Sequence, residues 1–256
     1  MKPTAKLRPQ LVDRALRGWG LTQHQINILL RACIKAEDGN ILVACDYSQV
    51  EARALAWAAG DEPALEAFRD PKGDPYARLA CRLFSIEPAK FNKKAHAQQR
   101  DTAKKAELGC GYGMGAPKFM ITAEKGGMVW KAPALCPGHG KQCDDPICGA
   151  LEKDRRGNVY THGAMTIVNV WRETHPAIVD FWDELRWAAI SATEGVPASA
   201  GPYEFAKVDD ATWCMLPSGR PIVYNGMHVE KGEKHWQKDL AYLDPETGFR
   251  KRTYGG

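Results

Sequence analysis

Arg100, Lys104, Leu108 and Tyr112 follow one another at intervals of four in the stretch NKKAHAQQRDTAKKAELGCGYGMG, residues 92–115. Side chains at that spacing drift by only about 40° per step around a helix of about 3.6 residues per turn, so the four share one face. Their types suit a nucleotide. An arginine offers phosphate oxygens a planar fork of donors, a lysine a mobile point charge, and a tyrosine a flat surface on which a base stacks. The glycines at 109, 111, 113 and 115 leave room for close approach of backbone or ligand. A run containing Lys93, Lys94, Lys104 and Lys105 is equally an ordinary solvated helix face, with Leu108 and Tyr112 as the first core residues of the next element. The pattern alone leaves both readings open.

A second stretch, DYSQVEARALAWAAGD, begins at Asp46. Asp46 lies in the apolar run Ile41–Tyr47, whose β-formers and flanking turn residues predict a buried strand. A helix is expected from Gln49 or Val50. A carboxylate at such a junction can project into a cleft from a rigid support. It can also be a plain helix N-cap, a role open to Ser48 as well.

DYSQVEAR at 46–53 resembles motif A of the family A DNA polymerases, the group of bacterial DNA polymerase I and its phage relatives. Arg100, Lys104 and the pair Tyr112-Gly113 resemble motif B of that family, its fingers helix, and LPSGRPIVY at 216–224 is similar to the hairpin that follows the fingers in phage members. The resemblance runs from about Ile41 to Gly256 and implies an α+β fold, a palm-like antiparallel sheet with an inserted helical fingers subdomain. It divides the chain into a lead-in and helix at 1–40, palm portions at 41–70 and 202–256, and fingers at 71–201.

It also implies a chemistry: transfer of deoxynucleotides to a primer on primer–template DNA, assisted by two magnesium ions. Asp46 would touch both metals and the Tyr47 carbonyl one, while Glu51 would crowd the ribose 2′ position. Gln49 would lie near the minor-groove edge. Arg100 and Lys104 would grip the dNTP triphosphate, Lys104 also protonating the departing pyrophosphate, and Tyr112 with Gly113 would flank the templating base. Leu108 stands where cellular members carry an aromatic on the sugar, and Tyr76 where a histidine is common; both are phage-like choices.

The chief departure is a missing motif. No His-Asp-Glu occurs in the 256 residues, and a lone aspartate cannot offset two close divalent ions. The expectation is a fragment or split subunit, inactive alone and completed by a second polypeptide that carries the missing carboxylates. The residues ahead of Ile41 are also too few for an exonuclease domain or a full thumb. A non-catalytic nucleic-acid-binding remnant is the alternative. A metal-dependent nuclease built on Asp46 and Glu51 lacks further clustered carboxylates.

These candidates need a scaffold, and the composition permits one: 44% hydrophobic and 26% charged residues suffice for a buried core, and a net charge of +4 is compatible with a polyanionic partner. Eight scattered cysteines without a secretory leader point to reduced thiols in the cytoplasm, and no apolar run is long enough to place the chain in a membrane. Leu21–Ala36 is expected to be a helix with Ile26, Leu29, Leu30, Cys33 and Ile34 facing inward, and 116–127 a helix and turn. The Pro- and Gly-rich segment 131–157 reads as a loop, in which Cys136, His139, Cys143 and Cys148 offer a possible zinc site or free thiols exposed to solvent. Residues 160–194 are expected to be helical, with Pro176 in a first turn and Ile178, Phe181, Trp182, Leu185 and Ala189 on one side. His175 reads as a cap or surface residue, and Trp171, Trp182 and Trp187 as core. A hairpin around Pro217–Arg220 is expected to extend the sheet carrying Asp46. Arg220 and the group Arg250, Lys251 and Arg252 are either phosphate contacts or solvated surface.

Overall fold

The computed structural model describes Gly18, Gly20, Thr22, Gln25, Ile26 and residues 34–70, 73–132, 143–232 and 238–252. The chain forms two units, Met1–Ser48 and Gln49–Gly256.

In the first unit the Ile26 amide bonds to the Thr22 carbonyl at 3.1 Å and the Gln25 side chain accepts from the Thr22 amide at 2.8 Å, a helix-start pattern. Leu29, Leu30 and Cys33 lie outside the described residues, and Ile34, expected to face inward, is exposed. Ile41–Tyr47 departs from the expected buried strand: it has no strand pairing among the described residues, and Ile41, Leu42 and Val43 are 85%, 61% and 77% exposed. A strand exists through the neighbour that takes its amides and covers its side chains, and β-propensity cannot supply that neighbour.

The second unit opens with helix α1, Val50–Ala59, which ends at Gly60 in a left-handed turn, and α2, Glu62–Arg69, whose N-cap Asp61 accepts from the Ala64 amide at 3.1 Å. Helix α3, Pro75–Leu83, starts the same way: Asp74 accepts from the Ala77 amide at 3.2 Å, and Pro75 takes the first helical position. Helix α4, Ala97–Cys110, follows, and then α5, Ala116–Lys125. Ala103, Ala106 and Cys110 are buried on the side of α4 away from Arg100 and Lys104, so the charged face is turned outward by packing of the small-residue face. Those residues join Leu79, Phe119, Ile167, Val168 and Trp171 in the first core.

Strands β1, Leu151–Lys153, and β2, Val159–Thr161, form a two-stranded antiparallel ladder. Part of the expected loop is therefore strand. Helices α6, His162–Thr174, and α7, Pro176–Thr193, come next, with Pro176 opening α7 as expected. Ile178 of α7 belongs to the first core; Phe181, Ala188, Ala189, Ile190 and Ala192 belong to a second, shared with the sheets. Trp171 is buried and Trp182 packs at the core margin, but Trp187 is 58% exposed, contrary to its expected core role.

Strands β3 (Ala198–Ala200), β4 (Tyr203–Val208), β5 (Ala211–Met215) and β6 (Pro221–Asn225) form an antiparallel sheet in sequential order. The predicted hairpin joins β5 to β6: Leu216 donates to the Arg220 carbonyl at 3.0 Å, and Gly219 supplies the turn's positive φ of 79°. Strands β7 (His228–Lys231), β8 (Lys238–Leu243) and β9 (Arg250–Arg252) make a separate three-stranded sheet. Both sheets are built from residues 198–252, and Asp46 lies in no strand among the described residues. The sheet that was to carry Asp46 is thus not extended by this hairpin.

Candidate nucleotide-binding site

Helix α4 is entered through Asn92, whose side chain accepts from the Lys94 and Ala95 amides at 2.9 and 3.1 Å and fixes the turn before the helix. Along its outward face Arg100 is half-buried, Lys104 is exposed and Leu108 is 38% exposed, while Tyr112, in the turn past the helix end, is 68% exposed. Two cations and an apolar residue of the expected row therefore share the helix face, and the expected ring follows in the turn beyond it. After Cys110 the chain turns through Gly113, whose φ of 71° favours a residue without Cβ.

Two groups on this face are held by residues from other elements. The Arg100 guanidinium meets Asp74 twice, Nε to Oδ2 at 2.8 Å and Nη2 to Oδ1 at 3.3 Å, and lies 5.2 Å from the Tyr76 ring centroid. Lys93 Nζ adds a contact to Asp74 Oδ2 at 3.2 Å. Burial works against the Asp74 charge, but the bonds from Arg100, Lys93 and the Ala77 amide outweigh it and hold the carboxyl below the usual carboxylate range. Interaction of the Tyr112 hydroxyl with the Glu51 carboxylate of α1 raises the phenol above its ordinary value. Burial pushes the Tyr76 hydroxyl upward, in spite of the opposing influence of the Gln49 side chain. Gln49 itself has a φ of 57°, uncommon for a residue with a side chain.

Behind Leu108 and Tyr112 lies a cavity of about 320 Å³ lined by Glu51, Leu55, Leu79, Trp171 and Trp182 among others. His175 lines it too. Far from a surface residue, His175 is wedged between two carboxylates: Nδ1 is 2.7 Å from Asp61 Oδ2, and Nε2 faces Glu107 Oε1 at 3.5 Å. The second distance suits an ion pair better than a hydrogen bond. Glu107 also accepts from Trp171 Nε1 at 2.9 Å. Burial opposes a charge on the imidazole, yet Glu107 and Asp61 prevail and its pKa is raised. Sequence spacing gave no sign of Asp61, Asp74, Glu107 or His175 as site neighbours, because their partners are up to 114 residues away.

Asp46 and Tyr47 belong to the first unit and are exposed. Among the described residues no three His, Cys, Asp or Glu side chains are grouped to hold a metal. Asp46 with the Tyr47 carbonyl does not by itself make a two-metal site. Cys136 and His139 lie outside the described residues, whereas Cys143 and Cys148 are buried rather than displayed on an exposed loop. The Cys148 amide bonds to the Asp145 carbonyl at 3.1 Å, and His162 Nε2 is directed at the Cys143 carbonyl.

Residues 21–124, which include both candidate stretches, match the model of DNA polymerase family A. Over that stretch the chain is similar to the family A DNA polymerases. It is 28% identical over 244 residues to the DNA polymerase of Bacillus phage SP02, an overlap covering 93% of this chain and 32% of that protein. A thermostable DNA polymerase I of Thermus filiformis is 39% identical over 90 residues, 35% of this chain and 10% of that protein. DNA polymerase I of Chloroflexus aurantiacus is 41% identical over 87 residues, 34% of this chain and 9% of that protein. The chain thus spans about a third of its phage relative's length and about a tenth of these bacterial ones'. Among the described residues no helix is long and apolar enough to cross a membrane.

Proposed function

We propose that this chain is the nucleotide-gripping part of a DNA-directed DNA polymerase, with residues 41–70 and 202–256 as palm portions and 71–201 as fingers. The observation that carries the reading is the open face of α4, on which Arg100, Lys104 and Leu108 stand in order, with Tyr112 in the turn just past the helix end, all within the stretch that matches the family. Arg100 and Lys104 hold the triphosphate of a dNTP, and Lys104, exposed and mobile, is placed to give a proton to the departing pyrophosphate. Leu108 lies beside the sugar. Glu51 crowds the ribose 2′ position while its bond to Tyr112 sets that ring beside the templating base next to Gly113. Gln49 faces the minor-groove edge of primer–template DNA. Magnesium, when bound, supplies the positive charge that steadies the attacking and leaving oxygens. Asp46 and the Tyr47 carbonyl are this chain's candidates for holding it, and the remaining carboxylates come from outside these 256 residues, on a partner polypeptide that supplies the His-Asp-Glu motif.

Primer extension tests this directly. The chain alone is expected to bind primer–template and dNTP without extending the primer, and to gain extension when a polypeptide carrying a His-Asp-Glu palm hairpin is added. Lys104→Ala should weaken dNTP use at least about tenfold while leaving DNA binding intact. Extension at full rate by the isolated chain overturns the need for a partner; DNA binding that never responds to the added polypeptide would make the chain a non-catalytic remnant.

A further inference from the structure

We propose that Asp74 is a positioning residue for the triphosphate grip: fixed to the backbone at the start of α3, it holds one edge of the Arg100 guanidinium, Nε with Nη2, and leaves Nη1 for a phosphate. This rests on the reading of α4 given above and adds to it a residue that touches no substrate.

The geometry makes Asp74 an anchor and not a loose counter-ion. Its side chain is only 9% exposed, and one oxygen is tied to the Ala77 amide at 3.2 Å, so the carboxylate cannot follow a moving arginine. Arg100 spends Nε and Nη2 on this carboxylate, at 2.8 and 3.3 Å, and Tyr76 lies under the guanidinium plane. A guanidinium has five N–H donors in a rigid fork, and those on Nη1 form an edge that these contacts do not use. Lys93 also reaches Asp74, at 3.2 Å. Two cations on one buried carboxylate leave a net positive charge, so the cluster still attracts an anion. The benefit of the clamp is preorganisation: an arginine already confined to one rotamer loses less freedom when phosphate arrives. The opposite expectation, that Asp74 competes with phosphate for the arginine, requires a carboxylate free to withdraw. Its backbone bond and burial deny it that freedom.

A double-mutant cycle on binding to the whole chain decides the matter, with inorganic tripolyphosphate as the probe in isothermal titration and a dNTP with magnesium as a second probe. Asp74→Ala is expected to weaken tripolyphosphate binding roughly threefold to tenfold, with Asp74→Asn, which keeps an oxygen for the cap, losing less. In an Arg100→Ala background the Asp74→Ala change should have no further effect, because the clamp has nothing left to position. An equal loss in both backgrounds would show that Asp74 acts through the fold of α3, and tighter binding by Asp74→Ala would show competition; either result overturns the proposal. Asp74→Ala also removes the cap of α3, so thermal melts accompany each titration and Asp74→Ser, which can still cap, repeats the cycle without the clamp. The broader reading fails separately: if Arg100→Ala binds both probes as well as the wild type, or if the wild type binds neither, α4 is not a triphosphate grip and the role of Asp74 falls with it.

Discussion

Glu51 and Tyr112 illustrate what one side chain decides at this site. Glu51 lies in the first turn of α1, lines the same cavity as Leu108 and Tyr112, and interacts with the Tyr112 hydroxyl through its carboxylate. Glu51→Ala is expected to admit ribonucleotides to the completed enzyme, raising their use relative to deoxynucleotides by about tenfold or more, as read from incorporation with each nucleotide type. Unchanged sugar selectivity would remove Glu51 from that role. The same substitution should lower the Tyr112 phenol toward its ordinary value, visible in an ultraviolet pH titration against Tyr112→Phe. That Arg100, Lys104 and Leu108 share a face was legible in the sequence because a helix repeats its face every few residues, whereas Tyr112 falls in the turn past the helix end. Asp74 and His175 were not, since what gives them meaning is a partner brought near by folding.

Helix α4 and its turn show how far local rules reach. The buried face of Ala103, Ala106 and Cys110 and the open face of Arg100 and Lys104 follow from one periodicity, and the boundaries of α5 and α7 follow from Gly115, Pro117 and Pro176. Gly113→Ala is expected to cost about 1–2 kcal/mol by placing a Cβ in the left-handed region, measured by chemical denaturation, and to displace Tyr112. The same local rules failed at Ile41–Tyr47. That run has the composition of a buried strand, but pairing is a property of two segments, and the reading had only one of them. The burial of Cys143 and Cys148 was missed for a related reason: composition, which left a zinc site or exposed thiols open, could not foresee the parallel bridge between Lys131 and Cys148.

Across the second unit, His175 connects the start of α2 through Asp61, the helix α4 through Glu107 and the junction of α6 with α7 on which it sits. Because its folded pKa is raised, the protonated imidazole stabilises the fold fully below its unfolded value of about 6.5, and that contribution is lost as pH rises through the higher folded value. His162 acts in the same direction, since the Glu152 hydrogen bond raises it as well. Urea unfolding at mildly acidic and mildly alkaline pH should therefore show greater stability in acid, with the difference reduced in His175→Gln and further reduced when His162→Gln is added. An unaltered difference in His175→Gln would mean that the two carboxylates do not hold the proton there. Helix α7 places Ile178 in one core and Phe181, three positions later, in the other. A protease that nicks this one helix therefore removes a wall from both interiors at once, so digestion should yield either the intact unit or small peptides, without a long-lived half of the molecule between them.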